Sequence, residues 1–152
     1  VLSIPLPSVR EVRTELEAAA GDPRRRTELV VAGGEAPLAP GVAPGTPVGY
    51  LDVTLDYLEP GDATVNLLLV REDLQGRGIG SASVRSLERR LTGRVHRVLA
   101  SVYGKNPDGK RFWRSLGYAF AIDAAPVLEW YAKRLDDPAP AERPGALSAG
   151  RP

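Results

Sequence analysis

The chain has 152 residues, 43% of them apolar and 26% charged, and its 20 Lys+Arg against 19 Asp+Glu leave a formal charge of +1. That length suits one domain with a sizeable core, and the charge balance gives no case for a nucleic-acid partner, whose footprint is a strong basic excess. No apolar run reaches the roughly 18 residues of a membrane span, so no membrane partner and a cytoplasmic location are expected. With no Cys and His96 as the single His, disulfides, a Cys nucleophile and a His-rich metal cage are excluded, and no metal is expected.

Residues 1–7 alternate loosely and suit an edge strand. Ser8 reads as an N-cap with Glu11 as its capping-box partner, and Val9, Val12, Leu16 and Ala19 follow at helical spacing. The spacing predicts a helix over 8–20 with Gly21 at the left-handed position after it. Residues 22–26 read as a connector whose Arg triplet is solvated. Residues 28–33 suit a strand. Residues 34–47 hold four Pro and three Gly without periodicity, which predicts a long loop outside the core. Residues 48–57 and 63–70 read as strands around a turn at 59–62, so three strands form an antiparallel meander.

Helical spacing returns after Gly78, with Ile79, Ala82, Leu87 and Leu91 on one face. Residues 95–103 suit a strand. Asn106-Pro107 starts a helix with Pro in its first turn, carrying Phe112, Trp113 and Leu116 and ending at Gly117. Residues 118–122 and 127–135 read as two last strands around a turn at 123–126. The tail 136–152 holds four Pro and few large apolar groups, so disorder is expected there. The fold class is therefore mixed α+β, one central sheet flanked by helices in a single domain over 1–135.

The stretch 67–80, LLLVREDLQGRGIG, carries the chemistry. An apolar strand runs through Leu68, Leu69 and Val70, and a short polar loop leads to Gln75, Gly76, Arg77, Gly78, Ile79, Gly80 and Ser81 where a helix begins. Glycine permits positive φ and close backbone approach. Unpaired N–H groups at a helix start favour a phosphate, and Arg77 adds a cation. A P-loop would need a Lys-Ser/Thr after the last Gly, and a dinucleotide fold would need different glycine spacing within a parallel unit. Neither fits.

Gln-x-Arg-Gly-x-Gly after a strand resembles the acyl-CoA signature of the GNAT superfamily of N-acetyltransferases. The later segment Asn106-Pro-Asp-Gly-Lys-Arg-Phe112-Trp113-Arg-Ser-Leu116-Gly117-Tyr118 is similar to that family's Asn-x-x-Ala-x-x-Phe-Tyr-x-x-x-Gly-Phe. The strand at Trp130-Tyr131-Ala-Lys133-Arg134-Leu135 resembles its last one. The resemblance covers residues 28–135. It implies a mostly antiparallel sheet whose fourth and fifth strands splay into a V that takes the pantetheine arm of acetyl-CoA. Backbone groups of Leu68, Leu69 and Val70 would then pair with the arm and polarise the thioester, in an oxyanion-hole role. Amides from Gln75 to Ser81 would hold the pyrophosphate, Asn106 would hydrogen-bond the arm and Phe112 would pack beside it. The implied reaction is direct attack of a primary amine, of a small molecule or a protein, on acetyl-CoA.

The chain departs from the family at two places. Where many members carry a Glu base it has Thr64, and where many carry a Tyr acid it has Trp113. Neither can move that proton. Tyr103, at a strand end near Asn106, is the substitute acid, and Asn66 is the residue to position an amine or a water. Glu72, Asp62, Glu129, Tyr131 and His96 are lesser candidates. The N-terminal helix and the loop 34–47 are expected to line the acceptor side. Two other readings stay open: an acyl-CoA-binding module with little transferase activity, and an interaction domain with no CoA site. A homodimer is compatible with the edge strands of an open sheet.

Overall fold

The computed structural model describes residues 9–103, 105–124 and 128–136, with the side chains of Val9, Glu11, Val12, Glu15, Tyr103 and residues 122–124 left aside. The expected strand over 1–7, the Ser8 cap, the end of the turn at Pro126 and the tail from 137 onward lie outside the described residues. The elements run α1 (Val9–Gly21), β1 (Arg25–Val31), β2 (Pro47–Leu55), β3 (Asp62–Val70), a 3-10 turn (Glu72–Leu74), α2 (Ile79–Leu91), β4 (Arg97–Tyr103), α3 (Pro107–Ser115), β5 (Ala119–Ala124) and β6 (Leu128–Arg134). The strands form one six-stranded sheet in the order β1-β2-β3-β4-β6-β5. Every neighbouring pair is antiparallel except β3 with β4. No described helix is long and apolar enough to cross a membrane.

Alternation along the strands sends Leu51, Val53, Ala63, Val65, Val98, Ala100, Val102 and Tyr131 to one face. There they pack with Val84, Leu87 and Leu91 of α2 and with Trp113 and Leu116 around α3. Both helices therefore cover the same side of the sheet. The opposite face carries Asp52, Thr54, Asp62 and Thr64, all buried. Buried polar groups as a rule have partners, and these have them. Arg25 donates to both oxygens of Asp52 at 2.5–3.0 Å, Arg97 to both of Asp62 at 2.7 and 2.9 Å, and Thr64 Oγ1 to the Tyr57 carbonyl at 2.7 Å.

Three local expectations are corrected. Gly21 closes α1 without adopting a left-handed backbone; the chain turns at Asp22, whose carboxylate accepts the Arg24 N–H at 2.9 Å. The Arg triplet is not wholly solvated, because β1 starts at Arg25 and that guanidinium reaches the buried Asp52. The loop 34–47 does enter a core: Val42 is buried with Ala32, Val48 and Leu74, in contact with Val70 and Ile79.

The feature that positions the site is the end of the parallel pair. β3 and β4 pair only from Asp62↔Arg97 to Val65↔Ala100. At the next residue the register of β3 on β2 shifts, since Val53 faces Val65 while Asp52 faces Leu67. Asn66 is the extra residue of this bulge, and a bulge bends its strand. β4 keeps its pairing with β6 to Tyr103↔Leu128, so beyond Val65 the two parallel strands part and leave a V.

Candidate active site

Arg71 N–H still donates to Val48 O at 2.9 Å, on the β2 side. By alternation Leu69 also turns its backbone to β2, where a Cβ on Gly49 would lie 2.5 Å from the Leu69 carbonyl. Leu68 and Val70 turn theirs toward the gap. This corrects the expectation for Leu69: its backbone is not available to a ligand in the V, and its side chain is exposed on the face away from the helices.

The V opens into a cleft of about 650 Å³ at the start of α2. Nine of the expected residues line it: Leu68, Val70, Gln75, Gly76, Gly78, Ile79, Gly80, Ser81 and Phe112. Gly76 and Gly78 have φ of 74° and 80°, a region that costs other L-residues roughly 1–2 kcal/mol. Gly80 sits in close approach to Phe112: a Cβ there would lie 3.3 Å from the ring, which would have to shift by a few tenths of an ångström. Gly78 caps α2 without a side chain to satisfy the first N–H groups, so they and the helix dipole point at the cleft. Gln75 Nε2 donates to Val70 O at 3.1 Å and ties the loop to the strand. Arg77 is exposed, and among the described residues no carboxylate pairs with it. These features fit a pyrophosphate.

Asp108 and Leu74 also line the cleft, and sequence reasoning missed both. An acid in an anion cradle is unexpected, but Arg111 pairs with Asp108 one helical turn on. Leu74 is fully buried beneath the loop, and its position in an apolar-poor linker gave no signal.

A second cavity of about 630 Å³ continues along the V and is lined by Asn66, Ser101 and Asn106 among others. Asn66 Nδ2 donates to Thr54 Oγ1 at 2.7 Å. Asn106 caps α3, its Oδ1 accepting the Gly109 N–H at 2.9 Å, which leaves Nδ2 for a ligand. Tyr103 closes β4; its side chain lies outside the described residues.

A model described as the acetyltransferase (GNAT) family matches residues 9–118. The chain belongs to the GNAT acetyltransferase family. It is similar to an acetyltransferase from Thermus thermophilus, with 40% identity over 88% of this chain and 79% of that one at a TM-score of 0.76. The ribosomal-protein-S18-alanine N-acetyltransferase of Escherichia coli shares 16% identity over 85% and 81% of the two chains, at a TM-score of 0.62. The spermidine N-acetyltransferase of Vibrio cholerae, in complex with CoA and spermine, shares 12% over 88% and 79%, at 0.64. These last two likenesses are likenesses of fold. No curated protein matches the sequence. As a GNAT acetyltransferase the protein is an acyltransferase whose donor is an acyl-CoA.

The two positions at which this GNAT chain departs from its family are structural. Thr64 is fully buried with its hydroxyl engaged by Tyr57. Trp113 is buried edge-on between Phe112 and Tyr118, at centroid distances of 5.2 and 4.9 Å. Glu72 is exposed in the 3-10 turn, and the other lesser candidates are occupied elsewhere. Asp62 is held by Arg97. Glu129 accepts from Lys110 at 2.8 Å and from Tyr131 at 2.9 Å, and these bonds, Lys110 first, hold its carboxyl below the ordinary range. Burial, then Glu129, pushes the Tyr131 phenol up. His96 sits before β4 against Gly61 and 3.2 Å from Asp136, a strand length of on the order of 20 Å from Tyr103.

Proposed function

We propose that the protein is an acetyl-CoA-dependent N-acetyltransferase acting on a primary amine, with residues 1–135 as its transferase unit. The observation that carries this reading is the continuity of the V after Val65 and Ala100 with the glycine cradle at the start of α2. An arm as long as pantetheine then has a slot at one end and an anion seat at the other. Acetyl-CoA supplies an activated thioester: the amine nitrogen bonds to its carbonyl carbon, the carbon–sulfur bond breaks, and CoA leaves as the thiol.

Each residue has a part. The N–H groups at Ile79, Gly80 and Ser81, with Arg77, hold the pyrophosphate. The gap-facing backbone of Leu68 and Val70 pairs with the arm, and an N–H there polarises the carbonyl. Phe112 packs beside the arm and Asn106 Nδ2 hydrogen-bonds it. Asn66, its amide fixed by Thr54, presents its carbonyl oxygen to an N–H of the acceptor and so aligns the lone pair for attack. Tyr103 supplies the proton to the leaving thiolate, and water takes the one lost by the amine. The thiol pKa of about 8.5 makes the acid helpful rather than essential.

Initial rates test this assignment. Asn66→Ala lowers kcat/KM for the amine about 10- to 100-fold, and Tyr103→Phe lowers kcat, while stabilisation by acetyl-CoA stays at the wild-type value. Unchanged turnover in either variant removes that residue from its role.

A further inference from the structure

The arm of the acyl donor fills the V from the side of α2 and α3, so the amine has to arrive from the other face of the sheet. Resting on the transferase reading above, we infer that the acceptor is a small primary amine carried on an apolar body, aromatic or branched aliphatic, seated on that face at the mouth of the V.

The surface there is apolar on both sides of the gap. On β3, Leu67 and Leu69 alternate with the gap-lining Leu68 and Val70, and stand 42% and 52% exposed on the far face. The register sets Leu69 opposite Tyr50, and Tyr50 opposite Leu29, which is 65% exposed. Across the gap Ser101 of β4 pairs with Trp130 of β6, and the Trp130 ring lies 6.5 Å from that of Tyr57. Tyr57 is presented by a fixed turn. Its neighbours Asp56 and Leu58 hold φ of 52° and 28°, values that non-glycine residues seldom adopt. The turn is tied by Thr64 Oγ1 on the Tyr57 carbonyl and by the Gly61 N–H on Asp56 Oδ1 at 2.8 Å.

The charges of this face argue against a polycation, because its carboxylates already have partners. Asp52 and Asp62 are each bound bidentately by an arginine, Asp56 accepts the Gly61 N–H, and the exposed Glu59 lies 3.6 Å from Arg97, so an ammonium would compete with a partner at each. An extended peptide also fits poorly, since its amides need a polar partner at every residue; of the polar side chains lining the cavity, Asn66 and Ser101 stand on the strands, while Asn106 and Asp108 belong to the start of α3 on the donor side. The apolar surroundings also address the absent base. Desolvation disfavours an ammonium relative to the free amine, so the neutral nucleophile is favoured at a site where Thr64 cannot accept its proton.

The test compares 2-phenylethylamine, spermidine and an Ala-starting tetrapeptide as acceptors for the wild type and for Leu69→Asp and Leu67→Asp. Melting with acetyl-CoA is recorded on the same samples. The inference predicts kcat/KM for 2-phenylethylamine at least 10-fold above the other two, and a fall of at least 10-fold in each variant with the acetyl-CoA shift retained. Equal or higher kcat/KM with spermidine or the peptide overturns it, as do variants with unchanged rates, or acetyl-CoA binding without turnover of 2-phenylethylamine. Loss of the acetyl-CoA shift in the wild type overturns the transferase reading itself.

Discussion

Tyr118 shows what a single atom contributes. Its hydroxyl is buried and meets no hydrogen-bond partner among the described residues, although Lys133 and Glu88 lie close by, bonded to one another at 3.0 Å. Burial, then the Glu88 carboxylate, pushes the phenol far above its ordinary range. A raised folded value means stability that is complete below the unfolded pKa of about 10 and is lost as pH rises above it. Tyr118→Phe removes an unsatisfied group, so it is neutral or stabilising by about 1 kcal/mol near pH 7. Its advantage over the wild type widens above pH 10. Melting curves at pH 7 and 10.5 check this, and a constant gap between the two proteins refutes it. Residue identity was legible in the sequence where chemistry restricts the choice. Gly76, Gly78 and Gly80 could be read because positive φ at the first two and a close neighbour at the third disfavour a side chain where the helix begins. The bulge at Asn66 and the backbone direction of Leu69 could not, because both depend on the pairing of β3 with β2.

At the scale of elements, the cradle rests on a small core of its own. The turn Glu72–Leu74 and the start of α2 sit on Ala32, Val42, Val48 and Leu74. The loop 34–47 thus braces the donor side, where the sequence suggested the acceptor side. Its connections explain why: Ala32 N–H bonds to Thr46 O at 2.8 Å, Gly45 N–H to Ala32 O at 2.7 Å and Val42 N–H to Ala39 O at 2.9 Å. A run of Pro and Gly carries no period from which one buried Val can be foreseen, and the burial of Val42 follows from tertiary contact. Leu74→Ala leaves a cavity under the cradle and costs about 2–5 kcal/mol. Because the cavity lies beneath the loop, affinity for acetyl-CoA falls as well. Urea unfolding with and without acetyl-CoA separates the two effects, and an undiminished ligand-induced shift would show that Leu74 supports the core alone. By contrast α2, α3 and all six described strands were legible within a few residues, because each carries its own period or cap.

For the whole molecule, one sheet performs two tasks. Its paired half, from Val65 and Ala100 back to Asp62 and Arg97, carries the Asp62–Arg97 ion pair and much of the main core. Its parted half holds the cleft, with helix starts and glycines on one face and exposed leucines and aromatic rings on the other. Short parallel pairing is what allows both in a chain of this length. The V was legible only through the resemblance of 75–80 and 106–118 to a family, since nothing local in residues 66–70 says that a strand will lose its neighbour.

The measurement that tests the central claim most directly is thermal melting with acetyl-CoA, CoA and NADH at matched concentrations, on the wild type and on Gly78→Glu. A ligand at 100 times its Kd adds about 2.7 kcal/mol, a shift of several degrees for a domain of this size. Acetyl-CoA and CoA raise the wild-type melting temperature and NADH does not. Gly78→Glu, which brings a side chain and a negative charge into the cradle, melts cooperatively and shows no rise. A wild type that responds to neither CoA ligand, or a Gly78→Glu protein that responds fully, would contradict the assignment of the cradle.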